Sequence, residues 1–184
     1  MKLFIIGCFV VVGFSACLKD TPYADYSQTQ PIIEFGLSAA SGNSSDNTSI
    51  YGNYYGYAGD TANYAGPAVM DTAVAIVVAS PQVLTSDVTA TVKVDATQIT
   101  PFNNYLGSSY EVLPDSLYQL TTTGTVTAGY RIGRIPIVLN MGKFSSTTHH
   151  YALPLVITGA TTKTGQNLIV SGNSSLFIWT FDRK

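Results

Sequence analysis

The run Val88–Val94 constrains the fold more than any other part of the chain. Val88, Ala90, Val92 and Val94 alternate with Thr89, Thr91 and Lys93, and Asp95 continues the polar series. A period of two sends successive side chains to opposite faces of an extended strand, so one face is buried and the other is wet. Just before it, Ala73–Ala79 is continuously apolar, as in a strand buried on both faces or deep in a sandwich, and Ser80-Pro81-Gln82 forms the turn between them.

The same pattern recurs toward the C-terminus. Tyr151, Leu153, Leu155 and Ile157 alternate, with Pro154 on the opposite face. Within Tyr130–Asn140, Ile135, Ile137 and Leu139 share a face while Ile132 is out of phase, which marks Gly133 as a bulge. Pro136 lacks a ladder donor, which predicts an edge strand. Further strands are predicted at Pro31–Phe35, around Val126 and Ala128, at Leu168–Val170 and at Leu176–Phe181, where Trp179 reads as core. Residues 96–106 read as a loop or a short helical turn. Strand-like runs separated by Gly, Pro, Ser and Thr predict an all-β, antiparallel β-sandwich of about seven to nine strands.

A chain of 184 residues suits one domain with short appendages. Only 11% of residues are charged, the net charge is −2 and no Lys/Arg run exists. Nucleic acid needs a clustered basic face, so it is excluded as a partner. Cys8 and Cys17 both precede the strands, which leaves the domain no disulfide framework and no cysteine zinc site.

The N-terminus reads as an address. Lys2 is followed by the apolar run Leu3–Phe14, shorter than the roughly 20 residues of a bilayer-crossing helix. It ends in Ser15-Ala16 before Cys17, and Phe14-Ser15-Ala16-Cys17 resembles a lipobox, with Phe in place of the usual Leu. That resemblance implies removal of residues 1–16 and lipidation of Cys17. Lys19-Asp20 behind it resembles the surface-export signal of Bacteroidetes lipoproteins. The expected organisation is a signal peptide (1–16), a lipidated tether (17–31) and a single sandwich domain (32–184). Several acyl chains give stable membrane anchoring. The expected location is the outer membrane, facing the exterior.

Tyr51, Tyr54, Tyr55, Tyr57 and Tyr64 are interleaved with Gly and Asn. A tyrosine ring offers a flat apolar face and a hydroxyl, which suits a sugar platform. The same composition suits an edge hairpin whose rings pack on the sheet. Asp60-Thr61-Ala62, Asp71-Thr72-Ala73 and Asp115-Ser116-Leu117 resemble the O-glycosylation acceptor of exported Bacteroidetes proteins, at Thr61, Thr72 and Ser116.

Catalytic patterns are absent from the sequence. Neighbouring His149 and His150 point to opposite faces if extended, and no HExxH accompanies them. Glu34 and Glu111 are the only glutamates. Asp71, Asp87, Asp95 and Asp115 occupy turn or strand-end contexts, where Asp caps backbone amides. No GxSxG or P-loop is present. The expectation is a non-enzyme with no metal site and no cofactor.

The phrases Asp71–Ser80, Asp87–Asp95, Tyr110–Pro114, Tyr118, Val126–Gly129 and Tyr151–Ile157 together resemble a domain of unknown function common in Bacteroidetes surface lipoproteins. The resemblance covers residues from Ile32 to the C-terminus. It implies an immunoglobulin-like sandwich, the N-terminal module of lipoproteins from glycan-utilisation loci, also found ahead of endo-β-N-acetylglucosaminidase domains. It transfers no catalytic residue. The expected role is an accessory in glycan binding or utilisation, with an oligo- or polysaccharide and an outer-membrane transporter complex as partners. The alternative is a structural or adhesion module, either a spacer or a fimbrial-type subunit.

Overall fold

The computed structural model describes residues 29–36, 69–144 and 150–182, together with the backbone of 49–54 and 57–63. The strands are β1 (Ile32–Phe35), β2 (Ser49–Tyr54), β3 (Tyr57–Asn63), β4 (Met70–Ala79), β5 (Val88–Val94), β6 (Glu111–Val112), β7 (Tyr118–Leu120), β8 (Thr123–Val126), β9 (Ile132–Leu139), β10 (Tyr151–Thr162), β11 (Ile169–Val170) and β12 (Leu176–Asp182). One helix, α1 (Ile99–Leu106), follows β5. Pairing runs β11-β1-β4-β9-β8-β5-β10-β12-β3-β2, with β7 also on β9 and β6 also on β10.

This single path curls into two layers. The first is β11-β1-β4-β9 with β7, and the second runs from β8 to β2. They join where β8 meets β9 through one register pair, Thr125 with Arg134. Between the layers lie Ile33, Val74, Ile76, Ile135, Ile137 and Leu139 from the first, and Val88, Val92, Leu153, Leu155, Phe177 and Phe181 from the second. Each such side chain contributes about 1.5–3 kcal/mol by leaving water. The alternation read in Val88–Val94 holds: Val88, Ala90 and Val92 are buried while Thr89, Thr91 and Lys93 are exposed.

The fold class is therefore the all-β sandwich that the sequence predicts, with four differences. Twelve strands occur among the described residues. Beyond the predicted runs, β6 and β7 have two and three residues and carry no readable period, while β2 and β3 are the hairpin that the tyrosine-rich composition allows. Three pairs are parallel, β1 with β11, β6 with β10 and β12 with β3. Direction is forced to alternate only between strands joined by a hairpin, and these pairs join distant parts of the chain.

Gly133 is not a bulge. Register between β4 and β9 is continuous, Ile76 opposite Gly133 and Val77 opposite Ile132. Gly133 faces inward at the β8–β9 crossing, where a Cβ would fall on the Thr125 carbonyl oxygen. Gly124 on β8 is matched to it, since its Cβ would lie 2.7 Å from the Arg134 carbonyl oxygen. Two backbones approach too closely for side chains, so glycine is required on both strands.

Pro136 does not sit on an edge strand, because β9 is paired on both sides. Its carbonyl accepts from the Thr121 amide at 3.1 Å, in the gap where β7 ends and β8 begins. The missing proline donor faces that gap, so no ladder bond is lost. Pro154 on β10 has the same solution: its carbonyl accepts from the Asp95 amide at 3.0 Å, between the ends of β5 and β6.

Helix α1 makes the second layer buried on both sides at one end. Ile99 and Phe102 pack on Ala152 and Ile178, with Tyr110, Val112 and Leu176 at the rim. Asp95 starts the segment by accepting from the Thr97 amide, and Gly107, at φ 64°, ends the helix with its N–H bonded to the Asn103 carbonyl. Asn103 then clamps the following loop. Its amide donates to the Tyr110 carbonyl at 2.8 Å, and its oxygen accepts from the Tyr110 amide at 2.9 Å and the Ser108 hydroxyl at 3.0 Å.

Candidate functional site

The outer face of the second layer carries the candidate surfaces in three zones. At one end α1 covers β10 and β12. At the outermost edge lies the β2–β3 hairpin. Farther along β10 an open trough lies over β5.

The hairpin holds the tyrosine-rich stretch. β3 runs parallel to β12, with Tyr57 opposite Leu176 and Gly59 opposite Ile178, and β2 pairs with β3 through Tyr51 opposite Gly59 and Tyr54 opposite Tyr57. The edge placement is thus a property of the backbone. Register puts positions 51 and 57 on the sheet face shared with Leu176 and Ile178, the face on which α1 lies. Tyr55, Tyr64 and Cys17 lie outside the described residues. Trp179, which the sequence reads as core, is 4% exposed and belongs to the inter-layer core. Its ring meets Phe177 edge-on at 6.3 Å and lies tilted against Phe181 at 5.4 Å between ring centroids, so no ligand reaches it.

The acceptor-like positions are spread over the molecule. Thr61 is on β3, Thr72 is half-buried on β4 opposite Ile137, and Ser116 is exposed in the 3-10 turn Asp115–Leu117. His150 is exposed with its ring edge-on to Tyr110 at 6.0 Å, and His149 lies outside the described residues.

Three carboxylates, Asp87, Asp95 and Asp115, are engaged in structure. Asp87 accepts from the Ala128 amide at 2.8 Å, which ties the β4–β5 connection to the β8–β9 turn. Asp95 accepts from the Thr97 hydroxyl at 2.6 Å, and this bond holds its carboxyl below the usual range. Asp115 accepts from the Tyr118 hydroxyl at 2.8 Å rather than from a backbone amide. Burial, with Asp115 beside it, pushes the Tyr118 phenol up to about 12. Among the described residues no three His, Cys, Asp or Glu side chains gather as a metal site would need.

The trough has a volume of about 500 Å³ and is lined by Thr89 and Thr91 of β5, Thr158, Gly159, Ala160 and Thr161 of β10, and Asn167, Leu168 and Val170 beyond it. It lies where the β10–β5 register shifts between Ile157 and Gly159. Sequence reading missed it. The signal was present as hydroxyl residues on the wet side of Val88–Val94, but the shift that opens the sheet beside them has no local motif.

The architecture defines an all-β sandwich, and comparison places it. A family model for an N-terminal domain matches residues 29–164, most of the chain, and the chain belongs to that family. The resemblance carried by its strand phrases is thereby borne out. No curated protein matches the chain. Several solved structures share its fold. One is described as a putative carbohydrate binding protein from Bacteroides ovatus (TM-score 0.54, 16% identity, covering 67% of this chain and 34% of that one). Another is EndoBT-3987 from Bacteroides thetaiotaomicron with a Man5GlcNAc product (TM-score 0.53, 16% identity, covering 68% and 28%). A third is an auxiliary nutrient binding protein from Bacteroides thetaiotaomicron (TM-score 0.53, 16% identity, covering 68% and 43%). The chain thus spans less than half the length of each.

Proposed function

We propose that this chain is a non-catalytic accessory in glycan binding or utilisation, lipid-anchored through Cys17 to the outer membrane and facing the exterior. The observation that carries this reading is the sandwich it shares with the carbohydrate binding and auxiliary nutrient binding proteins. The same sandwich within EndoBT-3987 supports a role beside glycan processing rather than in it, because this module covers 28% of that chain. The tyrosines at 51, 54, 55, 57 and 64 supply ring faces and hydroxyls for a saccharide, with an outer-membrane transporter complex as the receiving partner. The module runs 1–16 as signal peptide, 17–31 as tether and 32–184 as sandwich.

Retention of the purified protein on a glycan array tests the reading. Binding to at least one host or plant glycan is expected, weakened at least tenfold when the five tyrosines become Ala, with an unchanged thermal transition. No retention on any glycan rejects it. Cys17→Ser is expected to move the protein from the membrane to the soluble fraction. A spacer role is favoured by one observation, the small share of its structural neighbours that this module spans. Such a spacer would bind nothing on the array.

A further inference from the structure

We infer that the trough over β5 and β10 is a binding subsite for a neutral saccharide chain. This rests on the glycan-binding reading above and assigns part of the contact to a surface away from the tyrosine hairpin.

The trough has a saccharide's chemistry in negative. Its volume of about 500 Å³ is within the usual range of ligand clefts. None of its lining residues carries a charge. That disfavours phosphate or uronate, which call for Arg or Lys in the site. Thr89, Thr91, Thr161 and Asn167 line the trough with hydroxyls and a carboxamide. Thr89, Thr91 and Thr161 are exposed, and none of the four side chains is held in a hydrogen bond among the described residues. Hydroxyls both donate and accept, as sugar hydroxyls require. Thr158 differs in being committed, donating to the Thr91 carbonyl at 3.2 Å across the register shift.

The spacing is regular as well. Register aligns Thr125, Thr89 and Thr161 across β8, β5 and β10, and Thr123, Thr91 and Gly159 in the next row. Rows across a sheet repeat at about 4.8 Å between strands, so an extended polyol meets hydroxyls in succession. The threonine methyls, with half-buried Val170, give the apolar patches that sugar C–H faces need. At the floor, Gly159 has nothing within 4 Å of where a Cβ would stand. The cleft is open there without strain.

That open floor supplies the test. Gly159→Tyr fills the trough from a position where a side chain meets no atom. Thr91→Val with Thr161→Val removes two hydroxyls at constant shape. Both variants of the full chain are run against the native protein by affinity electrophoresis in gels containing mannan, xylan or a neutral β-glucan, and their thermal transitions are recorded. The expected result is that the native protein is retarded by at least one polymer. Gly159→Tyr and the double valine variant are each expected to bind at least tenfold more weakly at an unchanged transition. Native-like retardation of both variants overturns the subsite and leaves the glycan-binding reading standing. If Gly159→Tyr fails to fold, the double valine variant decides alone. A native protein retarded by none of these polymers and retained by no glycan on the array removes both.

Discussion

Gly133 and Gly159 occupy comparable places in sequence and opposite ones in space. Each lies in a long central strand, β9 or β10, with one apolar and one polar neighbour in the chain. At Gly133 the two layers cross and backbone presses on backbone, so a Cβ would fall on the Thr125 carbonyl oxygen. At Gly159 the register shifts and the space above is empty. One glycine closes the sandwich and the other leaves a cleft in it. The lesson is that a glycine within a strand reports a close approach or an opening, and only the neighbouring strand decides which.

That contrast breaks most sharply under Gly133→Ala. The obstruction is backbone rather than a flexible side-chain end, so the layers must separate, at about 3 kcal/mol, the upper part of the usual overpacking range. Urea unfolding should show the loss as a lower midpoint. A native midpoint would mean the layers do not meet at this residue. Asn103→Ala probes another closed region, the helix-to-loop clamp. Removing its amide strands the amide and carbonyl of Tyr110, at about 2 kcal/mol by the same measurement.

Gly159→Ala has the opposite sign. Its backbone is outside the left-handed region and its Cβ is unopposed, so the variant should be more stable by about 0.4–1 kcal/mol through a less flexible unfolded chain. A destabilised Gly159→Ala would mean that the trough is filled in solution. The smallest effect concerns Tyr118. Its folded pKa is raised to about 12 from the usual 10.0 of a phenol, so folding favours the neutral phenol. That contribution is complete below pH 10 and is lost as pH rises toward 12, because the unfolded chain ionises first. Tyr118→Phe should flatten the stability profile over this window, and ultraviolet titration of the native protein should show one phenol ionising late.

Much of the scaffold was legible residue by residue. Val88–Val94 announced its buried and wet faces, and Leu153, Leu155 and Ile157 announced theirs. Ala152 and Pro154 are buried as well, because α1 and its neighbours cover the outer side. That cover comes from Ile99 and Phe102, which are too few to print a helical period. Pro136 misled for a related reason. Proline's missing donor is harmless at an edge, and equally harmless in the gap between two partners on one side of a strand. The tyrosines of residues 51–64 were conspicuous by composition, whereas the threonine trough was hidden in an ordinary amphipathic strand.

Sequence alone determined the class of fold, the family and the inward faces of the main strands, because alternation and turn chemistry are local properties of the chain. Tertiary structure alone decided which glycine is crowded and which is free, why two prolines sit in central strands, and where an uncharged cleft opens. Each of those depends on a strand from elsewhere in the chain lying a few ångströms away, and no local pattern encodes that distance.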